Sequence, residues 1–220
     1  VKDTLGRTPM IVPNGISEIK LKEMSVIGVT QAAKNIRMSY IGNVGIAQEL
    51  DKFIDFTKLI PELHVKIIGD GAKLDTLKHK CEIENVKNVT FTGFVSPSMV
   101  SEYIKNTDIL FAQIGLGFHT AVPTNVFEYI ASGRKVLLGL PEGPAREIFS
   151  KFYGVEIFDV GVLESFLKSY EYLKALDYTE SDRKRNISIL RSKYLRENGA
   201  RNYVDSIVDL CQLSKLKKVR

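Results

Sequence analysis

Cysteine and histidine are scarce: the 220 residues hold two of the first and three of the second. Cys81 and Cys211 lie far apart, each inside a helical pattern, and read as reduced packing residues of a cytoplasmic protein. No grouping of Cys, His and Asp has the spacing of a metal site. No Gly-x-Ser-x-Gly element or Cys–His pairing suggests nucleophilic catalysis. Long apolar runs are missing as well, since none approaches the roughly 20 residues that span a bilayer. Val1 to Pro9 is polar and mixed, without the pattern of a signal peptide. The chain starts at Val1 rather than Met, as a fragment or a processed form would. No stripe interleaves basic and aromatic residues, which argues against a nucleic-acid surface. There is neither an internal repeat nor a low-complexity segment.

What is present is an ordinary globular balance, 44% hydrophobic and 26% charged. The length suits one α/β domain that buries its own core. The net charge is +5, and much of it lies at the end, in Lys215, Lys217, Lys218 and Arg220. Two readings of that end stand: cations near a helix carboxyl terminus, or attraction to anionic lipid headgroups.

Strand-like and helix-like segments alternate from about residue 38 to 176. Strands are expected at Met38–Gly42, Val65–Ile68, Val89–Phe94, Asp108–Ile114, Lys135–Leu140 and Val155–Val160. Helices are expected at Gly45–Ile60, Lys73–Glu84, Pro97–Lys105, Thr124–Ser132 and Ala145–Phe152, with helix from Val162 almost to the end. Pro97 after Ser96 marks one helix start, and Gly133 marks one helix stop. Residues 1–37 do not fit the alternation; Met10–Val12 is a short apolar run, and Glu18–Glu23 could form a short helix. Alternating strands and helices imply a Rossmann-like parallel sheet of about six strands, covered on both faces, with extra helices at the C-terminus. Right-handed crossovers collect the loops after the strands at one sheet edge, where ligands bind. Those loops are Gly42–Gln48, Gly69–Lys73, Gly93–Ser98 and Gly115–Thr124.

Each loop admits a functional and a structural reading. Gly42-Asn43-Val44-Gly45 could let backbone N–H groups approach a phosphate, or hold glycine for geometry alone. It is not a dinucleotide fingerprint. Asp70, between Gly69 and Gly71, suits a turn better than a ribose contact. Gly115 to Glu128 says most. A glycine loop runs into Pro123-Thr124, which opens a helix whose N-terminus can take an anion, and Glu128 sits one turn further on. Its carboxylate could accept two ribose hydroxyls, or could pair with the helix dipole at the surface. His64 and His79 read as surface residues. His119, inside the glycine loop, could donate to a phosphate or sugar or could order the loop.

Taken together, these residues resemble the GT-B glycosyltransferases of the large family called group 1 or family 4. Within it they are most similar to the L-fucosamine-transferase-like members that build surface polysaccharides. The elements are Ile11-Val-Pro-Asn-Gly15, Tyr40-Ile-Gly-Asn-Val-Gly45 with Gln48, Ile68-Gly-Asp-Gly71, Phe91-Thr-Gly-Phe-Val95 and Val122-Pro-Thr-Asn-Val-Phe-Glu-Tyr-Ile-Ala-Ser-Gly133. The resemblance implies the C-terminal, donor-binding half of a GT-B fold. Residues 1–15 would be a remnant of the acceptor-side domain and the linker, 16–176 the donor domain, and 177–220 C-terminal helices. It implies sugar transfer from a nucleotide-diphosphate donor, UDP-linked, to a glycan or lipid-linked acceptor, with retention and without a bound metal or other cofactor. Glu128 would hold the ribose hydroxyls, and the backbone N–H groups of Asn125 and Val126, after Thr124, would face the diphosphate. Gly42, Asn43, Gly45, Gln48 and Gly71 would be loop contacts to the donor, and Phe94 and Val95 would line the base.

Three departures from the family pattern stand out. Thr120 falls where the wider family has a first glutamate. Asn43 and Gln48 replace its first-loop cations. Asn125 replaces the subgroup's lysine. Diphosphate binding would then lean on backbone amides and on Lys73 or Arg146. A half-enzyme of this kind should bind donor without turning it over, and would act in the cytoplasm or at the inner membrane face. The alternatives are a non-catalytic nucleotide-sugar-binding module that pairs with another chain, and a GT-B nucleotide-sugar epimerase. A nicotinamide-dependent oxidoreductase is disfavoured by the missing fingerprint.

Overall fold

The computed structural model describes residues 14–30 and 35–217, with side chains through residue 208. The chain runs α1 (Glu18–Ser25), β1 (Arg37–Ile41), α2 (Leu50–Thr57), β2 (His64–Ile68), α3 (Leu74–Ile83), β3 (Val89–Gly93), α4 (Pro97–Lys105) and β4 (Ile109–Gln113). It continues through α5 (Asn125–Ser132), β5 (Lys135–Gly139), α6 (Pro144–Phe149), β6 (Val155–Phe158), α7 (Leu163–Ala175), α8 (Glu180–Lys193) and α9 (Arg196–Lys217). The six strands form one sheet in the order β3-β2-β1-β4-β5-β6, and every pairing is parallel.

The period of two along each strand divides the core. In β4, Ile109 and Phe111 face one side, against α2, α3 and α7; Leu110 and Ala112 face the other, against α1, α4, α5, α6 and α8. Phe53 of α2 stacks on Phe111 with ring centroids 3.7 Å apart. Both faces are therefore covered, as a parallel sheet requires. Leu74, Leu77 and Cys81 of α3 all point into the first core.

One expectation is corrected. The helix expected over Gly45–Ile60 is two pieces, a 3₁₀ turn at Ile46–Gln48 and then α2. Glu49 breaks it in a left-handed conformation, φ 44°, because Gln113 Nε2 donates to both the Gln48 and Glu49 carbonyls at 2.9 Å. Ile46 and Leu59, at either end of this stretch, are exposed. The helical remainder from Val162 is three helices, α7, α8 and α9, in keeping with the extra helices expected at the C-terminus. α8 packs its Leu190 into the same core as α5, and α1 also packs against α5.

At the chain's entry, Ile16 N–H donates to Tyr194 O at 2.9 Å, and Arg196 N–H donates to Ile16 O at 3.1 Å. Arg196 Nε reaches Gly15 O at 2.7 Å. Gly15 and Ile16 are thereby strapped to the α8–α9 junction. Of the Ile11–Gly15 element, residues 11–13 lie outside the described residues, as do Met10–Val12, Lys218 and Arg220 and the side chains of Cys211, Lys215 and Lys217.

Candidate functional site

The strand order reverses direction between β1 and β4, so the loops that follow these strands leave in opposite directions. A crevice opens between them at the carboxyl edge of the sheet, the place where doubly wound sheets take ligands. It has a volume of about 290 Å³ and is lined by Gly42, Asn43, Gln48, Pro123, Thr124 and Asn125, among others. Five of the expected donor contacts, Gly42, Asn43, Gln48, Thr124 and Asn125, thus meet in one place.

The loop after β1 is less open to a phosphate than its glycines suggest. Gly42 N–H donates to Ile68 O at 3.0 Å, and Val44 N–H to Asp70 O at 2.8 Å. Gly45 N–H donates to Gln48 Oε1 at 3.1 Å, and Tyr40 hydroxyl donates to Asn43 O at 2.6 Å. Among the described residues, Asn43 alone within Gly42–Gly45 has an N–H without a partner. These amides tie the loop to the turn after β2, where a β-carbon on Gly71 would lie 2.5 Å from Val44 O. Of the loop's two readings, these hydrogen bonds favour the geometric one.

The start of α5 is the better anion site. Val126 N–H is taken by Pro123 O and Phe127 N–H by Thr124 O, each at 3.3 Å. The N–H groups of Thr124 and Asn125 have no partner among the described residues. The free amides are therefore one residue earlier than the expected Asn125–Val126 pair, because the first turn closes tightly. Val126 itself is buried. The helix ends on Gly133 at φ 79°, a left-handed cap that glycine adopts without strain.

Asn125 does not point at the crevice as a substitute cation would. Its Nδ2 donates to Ile41 O and to Tyr129 Oη, each at 3.1 Å. Glu128 is half-buried and makes no hydrogen bond or ion pair among the described residues. Burial holds its carboxyl above the usual range; Glu23 adds to this, while Lys20 and Arg196 oppose it. All four oxygen lone-pair sites remain open to an outside donor.

Lys73 is exposed and lines a second crevice of about 320 Å³ with Gly45 and Glu49. Its backbone N–H donates to Val44 O at 2.9 Å, while its ammonium makes no ion pair among the described residues. Arg146 differs from the expectation. It pairs with Asp159 and Glu142 and donates to the Leu140 carbonyl, so its charge is already compensated at the end of β5. Phe94 is 76% exposed at the outer strand β3, and Val95 packs partly against the core. His119 is exposed beyond the 3₁₀ turn Leu116–Phe118, with its carbonyl under Gly143. None of these three lines either crevice. Among the described residues no three His, Cys, Asp or Glu side chains converge on a metal position. No described helix is long and apolar enough to cross a membrane.

The family profile described as glycosyl transferases group 1 matches residues 29–193. This chain belongs to that family. No curated protein sequence matches it. Among solved structures it is similar to the lipopolysaccharide outer core galactosyltransferase WaaB in its apo form. That match has a TM-score of 0.69 at 17% identity and covers 90% of this chain and 55% of WaaB. It is similar to a sucrose-phosphate synthase from Thermosynechococcus elongatus, with a TM-score of 0.73 at 13% identity, covering 93% of this chain and 53% of the synthase. HepE of Anabaena, in complex with UDP and glucose, matches with a TM-score of 0.63 at 13% identity, covering 88% and 53% of the two chains. The chain spans about half the length of these structures.

In this group 1 glycosyl transferase chain, sequence reading missed three residues that shape the crevice. Tyr40 holds the Asn43 carbonyl, Gln113 sets the break at Glu49, and Tyr129 holds the end of β1. For Tyr129 a signal existed: it lies four residues after Asn125, on the same helix face. Gln113 carried a weaker one, as a polar residue ending an otherwise apolar strand.

Proposed function

We propose that this chain is the nucleotide-sugar-binding half of a glycosyltransferase. It takes a UDP-linked sugar whose transfer goes to a glycan or lipid-linked acceptor, as in the L-fucosamine-transferase-like subgroup. The observation that carries this is the crevice at the β1–β4 reversal, overlooked by the free Thr124 and Asn125 N–H groups of α5. Two unpaired donors at a helix N-terminus suit the diphosphate, and that end of the helix dipole stabilises the charge that develops as the sugar leaves. Glu128 accepts from the ribose hydroxyls. Lys73 supplies the cation that the first loop lacks, and Phe94 and Val95 face the base. Transfer proceeds with retention and without a metal, catalysis being positioning and stabilisation of the leaving diphosphate. The acceptor site lies in the portion of the relatives that this chain does not span. In sequence, the cations from Lys215 to Arg220 suit anionic headgroups, which fits a lipid-linked acceptor at the inner membrane face.

Calorimetry with UDP, GDP and NAD tests this reading. UDP should bind, NAD should not, and the chain alone should show no sugar transfer. Preferential binding of NAD would sink the proposal. A second reading, a non-catalytic module that binds donor for a partner chain, is favoured by Thr120 and by the inward turn of Asn125. Mixing the chain with its acceptor-side partner separates the two, since only the enzyme half gains transfer activity.

A further inference from the structure

The open end of the β1–β4 ladder has a specific cause. β1 pairs with β2 as far as Ile41↔Ile68, but with β4 only as far as Tyr40↔Phe111. Gly42 N–H turns to β2, so Ile41, one residue earlier, directs its N–H and C=O toward β4. The Tyr40↔Phe111 pair sets Phe111 O opposite Ile41 N–H, but no later β4 residue pairs with β1, so the Ile41 carbonyl has no β4 donor among the described residues. Instead, Tyr129 hydroxyl donates to Ile41 O at 2.6 Å and accepts from Ile41 N–H at 3.2 Å. Asn125 Nδ2 bridges the same two acceptors, Ile41 O and Tyr129 Oη, each at 3.1 Å. The hydroxyl thus uses its one donor and two acceptor sites. Tyr129 is 2% exposed, so this is a closed network in place of a strand partner.

We propose that Tyr129 is a positioning residue for the nucleotide site, a role that rests on the proposed function. With Asn125 it forms a strut between the last residue of β1 and the first two turns of α5. The strut keeps β1 and β4 apart at the crevice and sets where the Thr124 and Asn125 amides stand above Gly42. Tyr129 touches no ligand. It also gives the Asn125 side chain a role: the amide group trades a cation for two hydrogen bonds that place the backbone donors.

The test uses the full chain with Tyr129→Phe and, as a milder variant, Asn125→Ala. Calorimetry with UDP and UMP is combined with amide hydrogen exchange read at Ile41. Losing the strut should weaken UDP about five- to tenfold, the size expected for donors held out of place. UMP should lose less, because its phosphate group reaches the α5 amides less fully, and the Ile41 amide should exchange faster. Equal losses for UDP and UMP would mean a general structural role and overturn the proposal, as would unchanged affinity in Asn125→Ala or an unchanged Ile41 amide. Failure of the unmodified chain to bind UDP would instead overturn the nucleotide reading itself.

Discussion

A β-carbon placed on Gly69 would lie 1.9 Å from the carbonyl oxygen of Gly42. The turns after β1 and β2 are therefore packed backbone to backbone, with Gly69 N–H also donating to Gly93 O at 3.0 Å. Gly69 has φ 133°, a region that side chains avoid. Gly69→Ala should cost about 3 kcal/mol of stability, from strain and the forced shift of the Gly42 carbonyl. A urea unfolding curve with a lowered midpoint and unchanged slope is the expected result. An unchanged midpoint would show that the two turns can separate without cost.

Glu128 should make nucleotide binding depend on pH. Burial raises its pKa, Glu23 adds to the rise, and Lys20 and Arg196 act against it. As an acceptor of ribose hydroxyls it must be ionised, so UDP affinity should rise with pH through a midpoint above the ordinary glutamate value. Stability has the opposite sign. A carboxyl that holds its proton more tightly when folded loses stability as pH rises from its ordinary pKa through its raised one. Glu128→Gln should bind UDP more weakly and lose both dependences. A Glu128→Gln profile parallel to that of the unmodified chain would remove Glu128 from the site, because the remaining slope would belong to the nucleotide.

Lys73 and Arg146 should part company. The Lys73 ammonium has no ion pair among the described residues and stands beside Gly45. Lys73→Ala should weaken UDP by about fivefold in low salt, and by less as ionic strength rises. Arg146 is held by Asp159, Glu142 and the Leu140 carbonyl, so Arg146→Ala should leave UDP affinity unchanged. The reverse pattern, read by the same titrations, would contradict the geometry.

Arg134 is a structural cation. It is 5% exposed and donates to Ile104 O at 3.0 Å, Lys105 O at 3.1 Å and Gly28 O at 2.8 Å. It thereby satisfies the last carbonyls of α4, which have no intrahelical donor. Burial pushes its pKa down to about 10, with Asp108 opposing and Arg37 assisting. Arg134→Met should destabilise the fold by about 3 kcal/mol, because the Lys105 and Gly28 carbonyls lose their donor and Ile104 O keeps only backbone donors such as Thr107 N–H. Denaturant unfolding checks this, and a cost under about 1 kcal/mol would mean that water replaces the guanidinium.

The strands were legible to within about one or two residues, and so were both ends of α5, for local reasons. Period-two apolar runs mark strands, Pro123 and Gly133 bracket a helix, and these signals lie within a few residues of each other. The break at Glu49 was not legible, because Gln113 imposes it from 64 residues away. Non-local partners likewise hid that the Gly42 and Val44 amides are taken, since their acceptors, Ile68 O and Asp70 O, come from the next βα unit.

By itself the sequence determined the layered α/β architecture, the edge on which the loops gather, and the family, because periodicity and short turn elements are local properties of the chain. Tertiary structure alone decided what each loop can offer a ligand. Asn125 turned inward because Ile41 and Tyr129 were there to receive it, and Arg146 was neutralised because Asp159 was close. A backbone N–H is free to bind only if no distant carbonyl has claimed it, and folding decides that.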